Sequence, residues 1–182
     1  QCSDIEYMER LLELYQMKKV KRVIVGGTDR QNSLQKGLRA IEDLGAASDD
    51  IVVVHDGVRP MLTLATIKEN IRVAKQYGCA MTVHPVTESV VVTDSEQVGI
   101  ADFKKRTDTY SLTSPQSFRL DGLKKAYGSE FGAEYEGMPL LDAAMVYANS
   151  GGEVHLVKEQ NSNIKITTPE DLILAEYLVK NQ

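Results

Sequence analysis

The chain has 182 residues, of which 42% are apolar and 26% charged, with a formal net charge of −5. That length suits one compact domain, 1–182, and the acidic balance argues against a nucleic-acid partner. No apolar run is long enough for a membrane span, no charged-then-apolar leader opens the sequence, and two cysteines without short spacing, Cys2 and Cys79, exclude a disulfide scaffold or structural zinc site. A cytoplasmic protein is the expectation, and any phosphate it binds must meet a local group of cations.

Taken along the chain, residues 3–18 predict a helix. Ser3 and Glu6 have capping-box spacing, and Ile5, Met8, Leu11, Leu12 and Tyr15 share a face. Arg22–Val25 predicts a short buried strand ended by Gly26 and Gly27, followed by a helix from about Asn32 to Leu44 that Gly45 closes. Ile51–Val54, four β-branched residues in a row, predicts a strand ending at His55-Asp56-Gly57. A helix over Leu64–Gln76 and a strand near Ala80–Val83 complete a strand–helix–strand alternation. Between Val86 and Thr113, β-rich pieces at Val90–Val92 and Tyr110–Thr113 alternate with polar turns, predicting an antiparallel arm over residues 86–113. A helix after Asp121, another over Leu140–Ala148, and strands at Val154–Val157 and Ile164–Thr167 follow. The last helix carries Thr168 as N-cap, Pro169 in its first turn and Asp171 to close a capping box. The fold class is therefore α/β, a mostly parallel Rossmann-like sheet flanked by helices with a projecting antiparallel β-arm.

Ligands of open α/β sheets sit beyond the carboxyl ends of strands. Two such ends carry suggestive groups. Gly26-Gly27-Thr28-Asp29-Arg30-Gln31-Asn32-Ser33 is a glycine turn entering a helix, where backbone N–H groups can face an anion or the edge of a base, or simply make a tight turn with Ser33 near an N-cap. At the other, Asp56 suits Mg²⁺ beside a nucleotide, Gly57 allows close backbone approach, and Arg59 can fork onto a phosphate; an Asp–Arg pair pinning a loop is the plainer alternative. His55 reads as structural, and Ser111, Ser114 and Ser117 show no base partner in the sequence. Lys165, between Ile164 and Ile166, points away from the apolar layer, towards solvent or a phosphate.

In order, Gly26–Ser33, Val53–Pro60, Pro85-Val86-Thr87-Glu88-Ser89, Arg106, Ser114-Pro115-Gln116-Ser117-Phe118 and Asn163–Asp171 resemble the motifs of the 2-C-methyl-D-erythritol 4-phosphate and ribitol-5-phosphate cytidylyltransferases. Each motif is weak alone; the ordered set spans nearly the whole chain. The resemblance implies CMP transfer from CTP to a polyol phosphate with Mg²⁺, in a nucleotidyltransferase fold. It places Gly27, Thr28 and Ser33 at the cytosine and ribose, with Arg30 supporting that loop and Gly26 in the same cofactor-binding set, and Asp56 and Gly57 at the ribose and metal. It places Arg59, Ser89 and Arg106 at the polyol phosphate and Lys165 at the α-phosphate, with the arm exchanged in a homodimer. The catalytic set so implied is Lys165, Arg106 and Asp56.

Departures accompany the likeness. The family's opening strand, glycine-rich loop and Pro-Lys pair have no counterpart here, so the chain alone is expected to bind CTP poorly. Gly57-Val58 replaces paired alanines, Ser89 stands where threonine is usual, and Gly137–Asp142 replaces a threonine-and-acid motif. These changes lean towards ribitol phosphate or a related polyol and leave methylerythritol phosphate open as the acceptor. A non-catalytic nucleotide-binding or dimerisation module is the alternative to an enzyme.

Overall fold

The valine-rich run Ile51–Val54 forms one edge of a four-stranded sheet. The computed structural model describes residues 2–128, 134–135, 138–139, 142–159 and 163–181. In chain order its elements are α1 (Cys2–Leu14), α2 (Arg30–Asp43), β1 (Ile51–Val54), α3 (Leu64–Tyr77), β2 (Cys79–Pro85), β3 (Val90–Thr93) and β4 (Ile100–Lys104). They continue with β5 (Tyr110–Arg119), α4 (Leu120–Gly128), β6 (Glu134–Tyr135), β7 (Met138–Pro139), α5 (Ala143–Asn149), β8 (His155–Lys158) and α6 (Pro169–Lys180). These divide into two compact units, one of residues 1–50 with 120–152 and one of residues 51–119 with 153–182.

The second unit holds the sheet, ordered β1-β5-β2-β8. β5 runs antiparallel to both β1 and β2, and β2 runs parallel to β8, so β1, β2 and β8 share one direction around a single reversed strand. The α/β class is as the sequence predicts, and the sheet is mixed. Helix α3 forms where Thr63 caps the Thr66 N–H, and it stops at Gly78, whose φ of 90° is the left-handed conformation that glycine adopts without strain. Val73 and Ala74 of α3 bury against Ala80 of β2 and Val157 of β8. The capping box of α6 forms as expected, with Thr168 capping the Asp171 N–H and the Asp171 carboxylate accepting from the Thr168 N–H.

β5 departs most from the sequence reading. Tyr110–Thr113 belong to this central strand rather than to the arm, which is the β3–β4 hairpin of Val90–Thr93 and Ile100–Lys104. Thr113–Phe118 are all buried, although only Phe118 is a large hydrophobe. Side-chain bonds take the place of apolar character: Asn70 Nδ2 donates to Thr82 Oγ1 (2.7 Å), which donates to the Pro115 carbonyl (2.6 Å). Pro115 has no N–H, and the β2–β5 register shifts between Met81 and Val83 beside it.

Two predicted strands do not form. Arg22–Val25 pairs with no strand among the described residues, and Ile24 and Val25 are exposed. Ile164–Thr167 joins no ladder among the described residues; Ile166 N–H instead donates to the Val58 carbonyl at 2.8 Å.

In the first unit, Asp29 rather than Ser33 caps α2, which starts at Arg30. The helix predicted from Leu140 starts at Ala143 with Asp142 as its N-cap residue. Gly137, Leu140 and Leu141, like the Ser3 side chain of the capping box expected in α1, lie outside the described residues.

The buried Asn70–Thr82–Pro115 chain gives a direct test. Thr82→Val removes a hydroxyl that both accepts and donates, and urea unfolding should show a loss of about 1–3 kcal/mol with unchanged slope. Thr82→Ser, which keeps the hydroxyl, should lose less.

Candidate functional site

The loop after β1 is fixed by a chain of hydrogen bonds. Asp56 N–H donates to Ser114 Oγ (3.1 Å), and Ser114 Oγ lies 3.0 Å from His55 Nδ1. His55 Nε2 faces the Arg59 carbonyl at 2.9 Å. A carbonyl can only accept, so Nε2 carries a proton, and in the neutral ring the Ser114 hydroxyl donates to Nδ1. The serine thus has the histidine partner that the sequence did not show. It is nevertheless buried, and its oxygen serves the Asp56 backbone, so the pair orders the loop and offers no exposed nucleophile.

Arg59 is held at two points. Its Nε donates to Asp56 Oδ2 at 3.3 Å, and its Nη1 donates to the Asn163 carbonyl, 104 positions away in sequence, at 2.8 Å. The two side chains keep 12% and 18% exposure, enough screening to make the pair a geometric clamp more than a large stabiliser. Arg59 then lines a cavity of about 360 Å³ with His84, Glu159, Asn163, Lys165 and Asp171. The Asp171 carboxylate is held below its ordinary range by the N–H groups of Thr167 and Thr168 and by the Thr167 hydroxyl, so it stays charged at neutral pH. Lys165 is exposed and, among the described residues, forms no ion pair.

Gly57 is exposed, with no atom within 4 Å of where a Cβ would stand, so the fold does not require glycine there. Ser89 and Arg106 lie on the exposed surface of the arm region and are not among the residues lining the cavity. Of the three neighbouring cations, Lys104 pairs with Asp102 and Lys105 with Asp108, whereas no ion pair among the described residues involves Arg106. No group of three or more His, Cys, Asp or Glu among the described residues is arranged to hold a metal by itself.

The glycine turn belongs to the other unit. Gly27 N–H does not stand open; it donates to Ser33 Oγ (2.8 Å), whose hydroxyl donates to the Asp29 carbonyl (2.8 Å). Lys36 Nζ donates to the Gly26 carbonyl. Thr28 Oγ1 donates to the Asp29 carboxylate, which caps Asn32 N–H and is held below its ordinary range mainly by that bond. Arg30 pairs with Asp142 at 3.2 Å, and Tyr127 donates to Gln31. Burial pushes the Tyr127 phenol up, with Arg30 opposing the shift.

The sequence model of the family described as IspD, 2-C-methyl-D-erythritol 4-phosphate cytidylyltransferase, matches residues 1–181. The chain belongs to this family. Curated relatives of that name include one from Alkaliphilus oremlandii, 32% identical over all of this chain and 74% of its own length. Another, from Geotalea uraniireducens, is 35% identical over 98% of this chain and 74% of its own length. The crystal structure of the Thermus thermophilus enzyme of the same name matches with a TM-score of 0.70 at 27% identity, over 89% of this chain and 78% of that one. The 4-diphosphocytidyl-2C-methyl-D-erythritol synthase of Anaerococcus prevotii shares the fold with a TM-score of 0.80 at 24% identity, over 98% and 78%. The family makes this chain a nucleotidyltransferase. No described helix is long and apolar enough to cross a membrane.

The motif order put Asn163 close enough to Lys165 to help but gave it no role, and nothing in the sequence marked Glu159, though both line the cavity. Their signal was tertiary: a polar residue just before Ile164 reads as loop until its partners are seen.

The glycine positions separate packing from binding. A Cβ at Gly27 would stand 2.7 Å from the Asn32 backbone carbon and 2.1 Å from its Oδ1, whereas one at Gly26 meets only the Ser33 side chain at 3.2 Å. Gly27→Ala should cost about 1–3 kcal/mol in thermal or urea unfolding. Gly26→Ala should cost less, and Gly57→Ala should leave the unfolding midpoint in place.

Proposed function

We propose that the chain transfers CMP from CTP to 2-C-methyl-D-erythritol 4-phosphate, releasing pyrophosphate. The observation that carries the reading is the meeting of Arg59 and Lys165 on one cavity, the first braced by Asp56 and by the Asn163 carbonyl. Family membership supplies the chemistry, and the relatives described above bear the methylerythritol name, which moves the balance away from ribitol phosphate.

An oxygen of the polyol phosphate attacks the α-phosphorus of CTP in line, the bond to the β-phosphate oxygen breaks, and the electron pair leaves with pyrophosphate. Both reactants are anions, so the barrier is one of positioning and charge repulsion. Lys165 neutralises the α-phosphate, and Arg59, Ser89 and Arg106 hold the polyol phosphate. Gly26, Gly27, Thr28, Arg30 and Ser33 receive the cytidine, with the Gly27–Ser33 bond keeping that turn in shape. Gly57 leaves room beside the ribose. A lone carboxylate at Asp56 fits Mg²⁺, which in nucleotide sites takes one or two protein carboxylates and completes its shell with phosphates and water. An ion held there would offset phosphate charge.

The β3–β4 arm is read as a dimerisation element. Val98 and Phe103 are 85% and 72% exposed on it, apolar surface suited to a second copy of the chain. Exchange of the arm brings Arg106, which no described acid engages, to the neighbouring site.

Pyrophosphate release from CTP with methylerythritol 4-phosphate tests the reaction, with ribitol 5-phosphate as the competing acceptor. No release with either acceptor by the full-length protein contradicts the reading. Lys165→Ala should lower kcat by about 10²–10³-fold, the usual cost of removing one such electrostatic group. Arg106→Ala should also be impaired. Mixing the two variants should restore roughly a quarter of wild-type activity, because half the dimers are mixed and each has one intact site. No recovery on mixing contradicts the exchanged arm.

A further inference from the structure

Asn163 is 5% exposed, and its Oδ1 is buried without a hydrogen-bond partner among the described residues. An orphaned acceptor is costly, and an apolar side chain of the same size would avoid it. What such a side chain could not do is donate. Asn163 Nδ2 donates to the Ser114 carbonyl at 2.6 Å and to Glu159 Oε1 at 3.1 Å. Glu159 Oε1 also accepts from the Thr113 hydroxyl at 2.9 Å, and the Glu159 N–H donates to the Val83 carbonyl. The carboxamide is therefore riveted to β5 on one side and, through Glu159, to β2 and β5 on the other.

The main chain of the same segment holds the loop after β1. The Asn163 carbonyl accepts from Arg59 Nη1, and Ile166 N–H donates to the Val58 carbonyl, both at 2.8 Å. Lys165 lies between those two attachment points. Asn163 thus fixes the segment that carries one cation and the acceptor that aims the other.

We propose that Asn163 is a positioning residue that sets Arg59 and Lys165 on a common cavity wall, with the Glu159 carboxylate orienting its amide. The proposal rests on the cytidylyl-transfer reading for its kinetic consequence. Its structural part stands apart from that reading. Asn163 touches no reacting atom; it acts through Arg59 and Lys165. A displacement of the order of 1 Å in a positioned group commonly costs about 10²-fold in rate.

The test compares Asn163→Ala, Glu159→Ala and Glu159→Gln with wild type by two readouts. Proton exchange at the Arg59 Nε–H and the Ile166 amide, followed by nitrogen-15 NMR without ligand, reports the clamp itself. Both alanine variants should speed exchange at these two groups by about tenfold or more while the β2 amides keep their protection. Glu159→Gln retains one acceptor for Asn163 and should stay near wild type. Unchanged exchange at both groups, or an equal loss throughout β2 and β5, overturns the proposal. Should Asn163→Ala fail to fold, Glu159→Ala decides alone. In pyrophosphate release, both alanine variants should lose about 10²-fold in kcat with KM changed far less, and Glu159→Gln should recover most of it. A full-length wild-type protein that releases no pyrophosphate counts against the cytidylyl reading, while the exchange readout still decides the positioning.

Discussion

Arg59 connects parts of the second unit that are far apart in sequence. Its guanidinium joins the Asp56 carboxylate, three residues earlier, to the carbonyl of Asn163. Without that link, the loop that ends β1 and the segment leading into α6 would be joined through the Ile166–Val58 hydrogen bond and local packing. With it, the Asp56 carboxylate and the segment that carries Lys165 are tied to one side chain. The planar fork of arginine, with donors pointing in fixed directions, allows one side chain to serve two acceptors at once; a lysine would offer a single point charge.

Around this link the cations divide by use. Lys104, Lys105 and Arg30 are matched with Asp102, Asp108 and Asp142, as expected for exposed charges that add little beyond local order. Lys165 and Arg106 have no such match among the described residues. In a chain of net charge −5 they are two of several cations in that position, and Lys165 is set apart by lining the cavity with Arg59.

The sequence made the helices and the first strand legible because their signals are local. Four β-branched residues mark Ile51–Val54, and Thr168, Pro169 and Asp171 write the start of α6 in side chains three residues apart. β5 was hidden because its buried stretch, Thr113–Phe118, is polar and contains proline, and its hydrogen bonds go to Thr82, His55, Asn70 and Glu159 on other elements. Arg22–Val25 misled in the opposite sense: its apolar run looks like a strand, but no ladder partner lies beside it in the described residues. At the candidate site, Asp56, Arg59 and Lys165 could be read from motif order. The Ser114–His55 bond and the Asn163–Glu159 bond could not, because each joins a loop to a strand or a turn whose placement only the fold supplies.

The central claim is that Arg59 and Lys165 form one wall for two joined phosphates. Side-chain nitrogen-15 NMR during titration with CDP-methylerythritol, the product that carries both, tests it most directly. The resonances of Arg59 Nε and Lys165 Nζ should move together and saturate at one ligand concentration. Binding of the product with either resonance left in place would contradict the account.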